Sequence, residues 1–326
     1  MSHPIHEANE NSPYGNLTKQ QFYHRHQISH QEAFMINKQN MNIFTQSWQP
    51  DGCTNPIGGR LKGLVAMIHG YTSESGWLFE LNAVAMAKHG FFVCSLDLQG
   101  HGLSEGPPEH ITDIQPLVQD CIQYFDSARA DHPNLPHFLY GESLGAAIAI
   151  LVTLQQKTAW NGLILAGAMC EVSKKFKPVW PLEKLLPAVV LFAPAWRIAI
   201  TEPPTRRSYR ESWKRKLAEK SPNRRSCGRA TAASGLEFLR VSEYIKRKCC
   251  DMEVAMLVLH GGDDRVCDPE GARYLYESVA SKDKSLKIYE GMWHQWIGEP
   301  NERVEEICNT ILSWIQVRAG LTTGTN

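Results

Sequence analysis

Apolar and polar positions along the middle of the chain fall into alternating blocks. Gly63-Leu-Val-Ala-Met-Ile-His-Gly is a short apolar run closed by glycine, the pattern of a strand buried on both faces. From Phe79 to His89 the spacing changes: Leu81, Val84, Ala85 and Ala87 fall as on a helix, with Gly90 at its end. Phe91-Phe-Val-Cys-Ser-Leu-Asp-Leu predicts the next strand and Ile111 to Ala130 a helix. A strand at His137-Phe-Leu-Tyr, a helix from Leu144 to Gln155 and a strand at Gly162-Leu-Ile-Leu-Ala-Gly-Ala-Met follow. The rhythm stops near Glu171. It resumes near Gly235 with a helix, the strand Val254-Ala-Met-Leu-Val-Leu-His-Gly, a helix from Pro269 to Ala280, the strand Leu286-Lys-Ile-Tyr-Glu-Gly and a helix from Glu302 to Val317. Such alternation predicts an α/β fold: a mostly parallel sheet with crossover helices on both faces.

The flanks read differently. Two segments rich in β-formers between Glu32 and Trp48, separated by a polar turn, predict an antiparallel hairpin. Residues 1–30 are rich in His, Gln and Asn and predict a flexible or loosely docked arm. The core is expected over 31–170 and 235–320. Residues 171–234 do not alternate and are expected to form an insertion over one end of the sheet.

Composition narrows the function. With 326 residues and 43% apolar positions a sizeable core can be buried. Thirty-four basic residues balance thirty-four acidic ones, which argues against nucleic-acid binding through bulk charge. Nine scattered cysteines without C-x-x-C spacing point to a reducing compartment and away from a zinc ribbon. The polar opening lacks the apolar core of a secretory signal, and the longest apolar stretch, Leu185 to Trp196, is too short to span a bilayer. A cytoplasmic protein is expected.

The candidate chemistry starts at Gly141-Glu142-Ser143-Leu144-Gly145. G-x-S-x-G alone is a weak pattern, but here an apolar strand runs into it and a helix runs out of it, the strand–turn–helix context of a nucleophile elbow. A serine hydroxyl needs a base, and in this arrangement the histidine comes late in the chain, after an Asp or Glu. Only His260 and His294 follow the elbow. His260 ends a strand, whereas His294 lies in a loop after the next strand, where it can reach Ser143. Asp263 and Asp264 follow the preceding strand, and Asp264 is the chosen acid with Asp263 as the alternative. The backbone N–H groups of Tyr71 and Leu144 are the candidate oxyanion donors. The glycine-rich loop from Asp97 to Gly106 matches neither phosphate-binding fingerprint and reads as a tight loop.

Together the stretches HGYTSESGW at His69, LDLQGHGLSEG at Leu96, FLYGESLG at Phe138, VLHGGDDRVCDPEGARYLYE at Val258 and SKDKSLKIYEGMWH at Ser281 resemble the monoacylglycerol lipase family of α/β-hydrolases. The branch looks like the plant one containing caffeoyl shikimate esterases and lysophospholipases. The resemblance runs from about Glu32 to Val317. It implies an α/β-hydrolase fold and cleavage of carboxylic esters, with Ser143 as nucleophile, Asp264 as acid, His294 as base, and Tyr71 and Leu144 at the oxyanion. It implies small ester or lipid substrates and no metal or organic cofactor.

In that family the insertion is a cap, or lid. Here its first half holds Trp180, Leu182, Leu185, Leu186, Val189, Val190, Leu191, Phe192 and Trp196. Its second half, from Pro204 to Arg229, holds ten Lys or Arg against Glu211 and Glu219. Two readings stand. One is a lid with an apolar face for an acyl chain and a basic face for anionic headgroups, giving peripheral membrane contact; the other is a packed cap helix beside a solvated basic stretch.

Overall fold

The computed structural model describes residues 2–52, 60–171, 182–197, 205–225 and 229–320. Its strands are β1 (Ile28–Ile36), β2 (Asn42–Pro50), β3 (Gly63–Ile68), β4 (Phe91–Leu96), β5 (His137–Glu142), β6 (Gly162–Ala166), β7 (Met256–Gly261) and β8 (Lys284–Tyr289). They form one sheet in the order β1-β2-β4-β3-β5-β6-β7-β8. β2 pairs antiparallel with β1 and β4, and the remaining pairings are parallel. The helices are α1 (Lys19–His26), α2 (Trp77–Lys88), α3 (Gln115–Asp131), α4 (Leu144–Gln155), α5 (Leu182–Phe192), α6 (Thr205–Ser208), α7 (Ser212–Glu219), α8 (Ala232–Lys248), α9 (Pro269–Ser278) and α10 (Asn301–Arg318).

The unbroken apolar runs of the central strands follow from this layering. Successive side chains point to opposite faces of a sheet. Leu64, Ala66 and Ile68 therefore enter one core, shared with Val118 and Phe125 of α3, Ile148 of α4 and Ile245 of α8. Val65 and Met67 enter the other, shared with Leu81 and Val84 of α2 and Ile307 and Ile311 of α10. With water excluded from both faces, neither set can be polar.

α3 starts four residues later than its spacing predicts. Pro116 belongs in the first turn of a helix, and the residues before it are bonded elsewhere. Ile111 N–H donates to Ser234 Oγ at 2.9 Å and Ile114 N–H to Glu237 Oε1 at 3.0 Å, tying this loop to α8.

The first segment departs further from expectation. Its composition predicts a flexible or loosely docked arm over residues 1–30; the structure instead buries its anchors on the α2 side of the sheet. Ile5 and Phe22 are fully buried there, and Tyr23 nearly so. A capping box starts α1: Thr18 Oγ1 accepts from Gln21 N–H at 3.2 Å, and Gln21 Oε1 accepts from Thr18 N–H at 3.0 Å. Trp48 Nε1–H donates to the Tyr23 hydroxyl at 3.2 Å. Among the described residues, no helix is long and apolar enough to cross a membrane.

If the segment is an integral part of the core, Phe22→Ala will lower the unfolding free energy by about 3 kcal/mol, the cost of truncating a buried phenylalanine. Urea denaturation measures it; a loss below about 0.5 kcal/mol, the size of a surface substitution, would mean a loosely held arm.

Candidate active site

β5 ends at Glu142 and α4 begins at Leu144, so Ser143 makes the whole turn between them. Its backbone sits at φ 54° and ψ −116°, a conformation that costs a non-glycine residue about 1–3 kcal/mol. The flanking glycines make this turn possible. A Cβ at Gly145 would collide with the carbonyl oxygens of Ile68 and His69, and one at Gly141 with the backbone of Gly145 and Ala146. β3, β5 and α4 thus meet backbone to backbone beneath the serine.

Ser143 Oγ lies 2.8 Å from His294 Nε2, and His294 Nδ1 lies 2.7 Å from Asp264 Oδ2. All three side chains are buried. With Nδ1–H donated to the carboxylate, Nε2 is free to accept the serine proton. Asp264 Oδ1 accepts backbone N–H groups from Val266 at 2.7 Å and Cys267 at 3.0 Å. Burial would push this carboxyl up. The charge of His294, and hydrogen bonds from His260 and His294, outweigh burial and hold it well below the usual carboxylate range. Asp264 is therefore ionised. Asp263, the alternative acid, is exposed to solvent.

His260 is the residue that spacing missed. Its Nε2 stands 3.1 Å from Asp264 Oδ2, and its Nδ1 has no hydrogen-bond partner among the described residues. The proton is accordingly on Nε2, directed at the carboxylate.

Leu144 is the first residue of α4, where a backbone N–H has no intrahelical acceptor. Gly70, just before Tyr71, lies against the elbow: a Cβ there would stand 3.2 Å from Ser143 Cβ. Tyr71 and Leu144 line the same cavity as Ser143. The Tyr71 hydroxyl donates to the Glu109 carbonyl at 2.7 Å, and its ring meets Phe238 of α8 edge-on at 5.1 Å. The glycine-rich loop closes around Asp97, whose carboxylate accepts from Ser75 N–H at 2.6 Å and Leu103 N–H at 2.8 Å. Leu103 N–H thus faces that carboxylate, and the N–H groups of Gly100, His101 and Ser104 bond carbonyls within the loop, not an open phosphate site. Among the described residues, no cluster of His, Cys, Asp and Glu side chains is arranged to hold a metal ion.

The cavity above Ser143 is walled on the core side by Leu144, Met169 and Val266, and on the other by Leu186, Tyr209, Phe238 and Leu239. Leu186 and Tyr209, from described residues between β6 and α8, thus line it together with Phe238 and Leu239 of α8. The basic half of the insertion is partly exposed to solvent, Arg206 and Lys216 among it, and partly bonded to the rest of the chain. Lys214 Nζ donates to the Glu299 carbonyl at 2.5 Å, Lys220 Nζ to Glu10 at 2.8 Å, Arg210 Nη1 to Gly291 at 2.9 Å and Arg225 Nη1 to Ser104 at 2.6 Å. These four cations each reach a backbone carbonyl far away in sequence. α5 has a different character: Leu186 points inward, while Leu191 and Phe192 are 76% and 85% exposed and Leu185 is also outward, as is Trp196 just beyond the helix. Trp180 lies outside the described residues.

Fold and site together define an α/β-hydrolase. Residues 59–301 match the family described as serine aminopeptidase, S33, and the chain belongs to that family. It is 29% identical over 308 residues to the caffeoylshikimate esterase of Arabidopsis thaliana, covering 93% of this chain and 90% of that one. It is likewise 29% identical over 291 residues to the human monoglyceride lipase, covering 89% and 92%. Among solved structures it is similar to a soluble variant of monoglyceride lipase from Saccharomyces cerevisiae in complex with a substrate analogue. That match has a TM-score of 0.76 and 18% identity, covering 88% of this chain and 94% of that one.

Beneath the elbow, Glu142 is enclosed by Asn82, Tyr140 and Trp296. Burial pushes its carboxyl up to about 7 from an ordinary 4.5. An unfolded chain ionises this group first, so the wild type loses stability as pH rises from about 4.5 to about 7, by about 3 kcal/mol in all. Glu142→Gln lacks that slope. Urea midpoints at about pH 5 and about pH 8 should show the variant gaining on the wild type as pH rises, and a constant gap would contradict this.

Proposed function

We propose that the protein is a serine hydrolase of carboxylic esters that works through an acyl-enzyme on lipid monoesters of the monoacylglycerol kind. The observation that carries the reading is the hydrogen-bonded series Ser143–His294–Asp264 beneath a largely apolar cavity. Ser143 Oγ attacks the ester carbonyl as its proton passes to His294 Nε2. The negative charge on the carbonyl oxygen is met by the N–H groups of Tyr71 and Leu144, and Asp264 steadies the imidazolium. The C–O bond to the alcohol then breaks, and His294 returns the proton to the leaving oxygen. Water, deprotonated by the same imidazole, cleaves the acyl-serine and regenerates the hydroxyl. These steps need no metal or organic cofactor. Residues 171–234 serve as the cap over a hydrolase core made of 31–170 and 235–320.

The lining supports an acyl chain as the substrate's main handle. Each methylene buried against Met169, Leu186, Leu239 or Val266 adds about 0.8 kcal/mol to binding. The monoglyceride lipases among the relatives support the same class. A second reading, a phenylpropanoid ester, draws on the caffeoylshikimate esterase relative and on the aromatic side chains of Tyr71, Trp77, Tyr209 and Phe238 in the wall. Contact with a lipid surface is proposed through the outward apolar side of α5, beside the cavity that Leu186 lines.

Ser143→Ala should abolish fluorophosphonate labelling and lower kcat more than about 1,000-fold while leaving the circular dichroism spectrum unchanged. Labelling that persists in the variant would refute the nucleophile. On a panel of a 2-acylglycerol, lysophosphatidylcholine and caffeoyl shikimate, the acylglycerol should give the highest kcat/KM with kcat above about 1 s⁻¹. Preference for caffeoyl shikimate selects the second reading. Binding without multiple turnover would mean a ligand receptor instead of an enzyme. Leu191→Ser combined with Phe192→Ser should reduce cosedimentation with phosphatidylcholine vesicles and leave hydrolysis of a water-soluble ester unchanged; equal cosedimentation would remove α5 as the contact.

A further inference from the structure

We infer that the buried polar chain His3–Asn82–Glu142, tied through Tyr140 and Trp296, is a positioning device that holds Ser143 and His294 in register. The inference rests on those two residues being the reacting pair.

The chain has a defined direction. His3 caps a short 3-10 turn, Pro4–Glu7, by accepting the Ile5 N–H at Nδ1, 3.1 Å away. Burial drives this imidazole down to about 3, so it is neutral at physiological pH and its one proton sits on Nε2. That proton is donated to Asn82 Oδ1 at 3.2 Å. The Asn82 carbonyl being occupied, its Nδ2 faces Glu142 Oε1 and donates at 3.0 Å. The same carboxylate oxygen accepts from Trp296 Nε1 at 3.2 Å and from the Tyr140 hydroxyl, which itself accepts from Trp296 Nε1 at 2.8 Å. The His3 ring also meets Trp296 edge-on, with centroids 5.7 Å apart.

The location of this cluster gives it consequence. Glu142 immediately precedes Ser143, and Trp296 stands two residues beyond His294. One oxygen atom therefore restrains both the strained turn that presents the hydroxyl and the loop that presents the imidazole. A residue held at positive φ stays there only where its surroundings over-determine it. The Glu142 side chain supplies such restraint from three elements: α2, β5 and the turn Trp296–Gly298. None of His3, Asn82, Tyr140, Glu142 or Trp296 lines the cavity, so their influence should appear in turnover and not in substrate binding.

The test compares wild type, His3→Ala, His3→Gln and Tyr140→Phe on a short p-nitrophenyl ester, with the rate of fluorophosphonate labelling as a second readout and thermal melting as the control for folding. His3→Ala should lower kcat about tenfold and slow labelling in proportion, with KM within about twofold of wild type. His3→Gln, which keeps an N–H donor for Asn82, should recover most of the loss. Tyr140→Phe removes one hydroxyl from the cluster and should show the same split; it decides the question if His3→Ala does not fold. Folded variants with kcat within about twofold of wild type, or with the loss confined to KM, would overturn the inference and leave the cluster a packing feature. A wild type that neither labels nor turns over would instead overturn the hydrolase reading, and the inference with it.

Discussion

Asp264 carries a negative charge out of water, and a buried charge persists only where donors replace its lost hydration. Four do so here: the N–H groups of Val266 and Cys267 on one oxygen, and the imidazoles of His260 and His294 on the other. Each of these sits on the chain leaving β7 or β8, or at the end of β7 itself. The carboxylate thereby organises two loops at once. It fixes which nitrogen of His294 bears the proton and points the other at Ser143. Neighbouring strand ends supply the remaining parts: the elbow follows β5, and Gly70 follows β3. In an open parallel sheet the carboxyl ends of the strands lie on one side, so residues far apart in sequence converge there.

How much of this could be read from the chain depended on whether the signal was local. Buried strands and their helices announce themselves by periodicity, and the elbow by a glycine pattern in the right context, so the core and the positions of Ser143, Asp264 and His294 were legible. His260 was not, because a histidine ending an apolar run gives no sign of where its nitrogen points. The buried polar cluster left a fainter trace. α2 is apolar nearly all round, yet carries Glu80 and Asn82, both buried, and two such residues in such a helix call for partners. The opening segment misled for another reason: Ile5, Tyr14, Phe22 and Tyr23 are its anchors, but they are isolated among polar residues and form no periodic stripe.

Between Pro204 and Arg229 a count of charges describes only part of what the side chains do. A lysine or arginine stem can cross apolar surface and deliver its charged end to a carbonyl on the far side. Lys214 does this so completely that it is fully buried. The local excess of positive charge between Pro204 and Arg229 is therefore partly internal structure. α5 exposes Leu185, Leu191 and Phe192 beside Lys184, so what it shows to solvent is mostly apolar, whereas Lys214 and Arg225 deliver their charges to the carbonyls of Glu299 and Ser104.

The backbone N–H of His3 is hydrogen-bonded to Glu305 Oε2 at 2.8 Å, across a separation of 302 residues. Contacts of that span close only after the intervening chain is in place. As the polypeptide leaves the ribosome, the opening turn can meet α2 early, but this acceptor is missing until α10 has emerged. The sheet can assemble in the meantime, so this bond comes among the last to form, and a nascent chain halted before α10 would lack the acceptor for it.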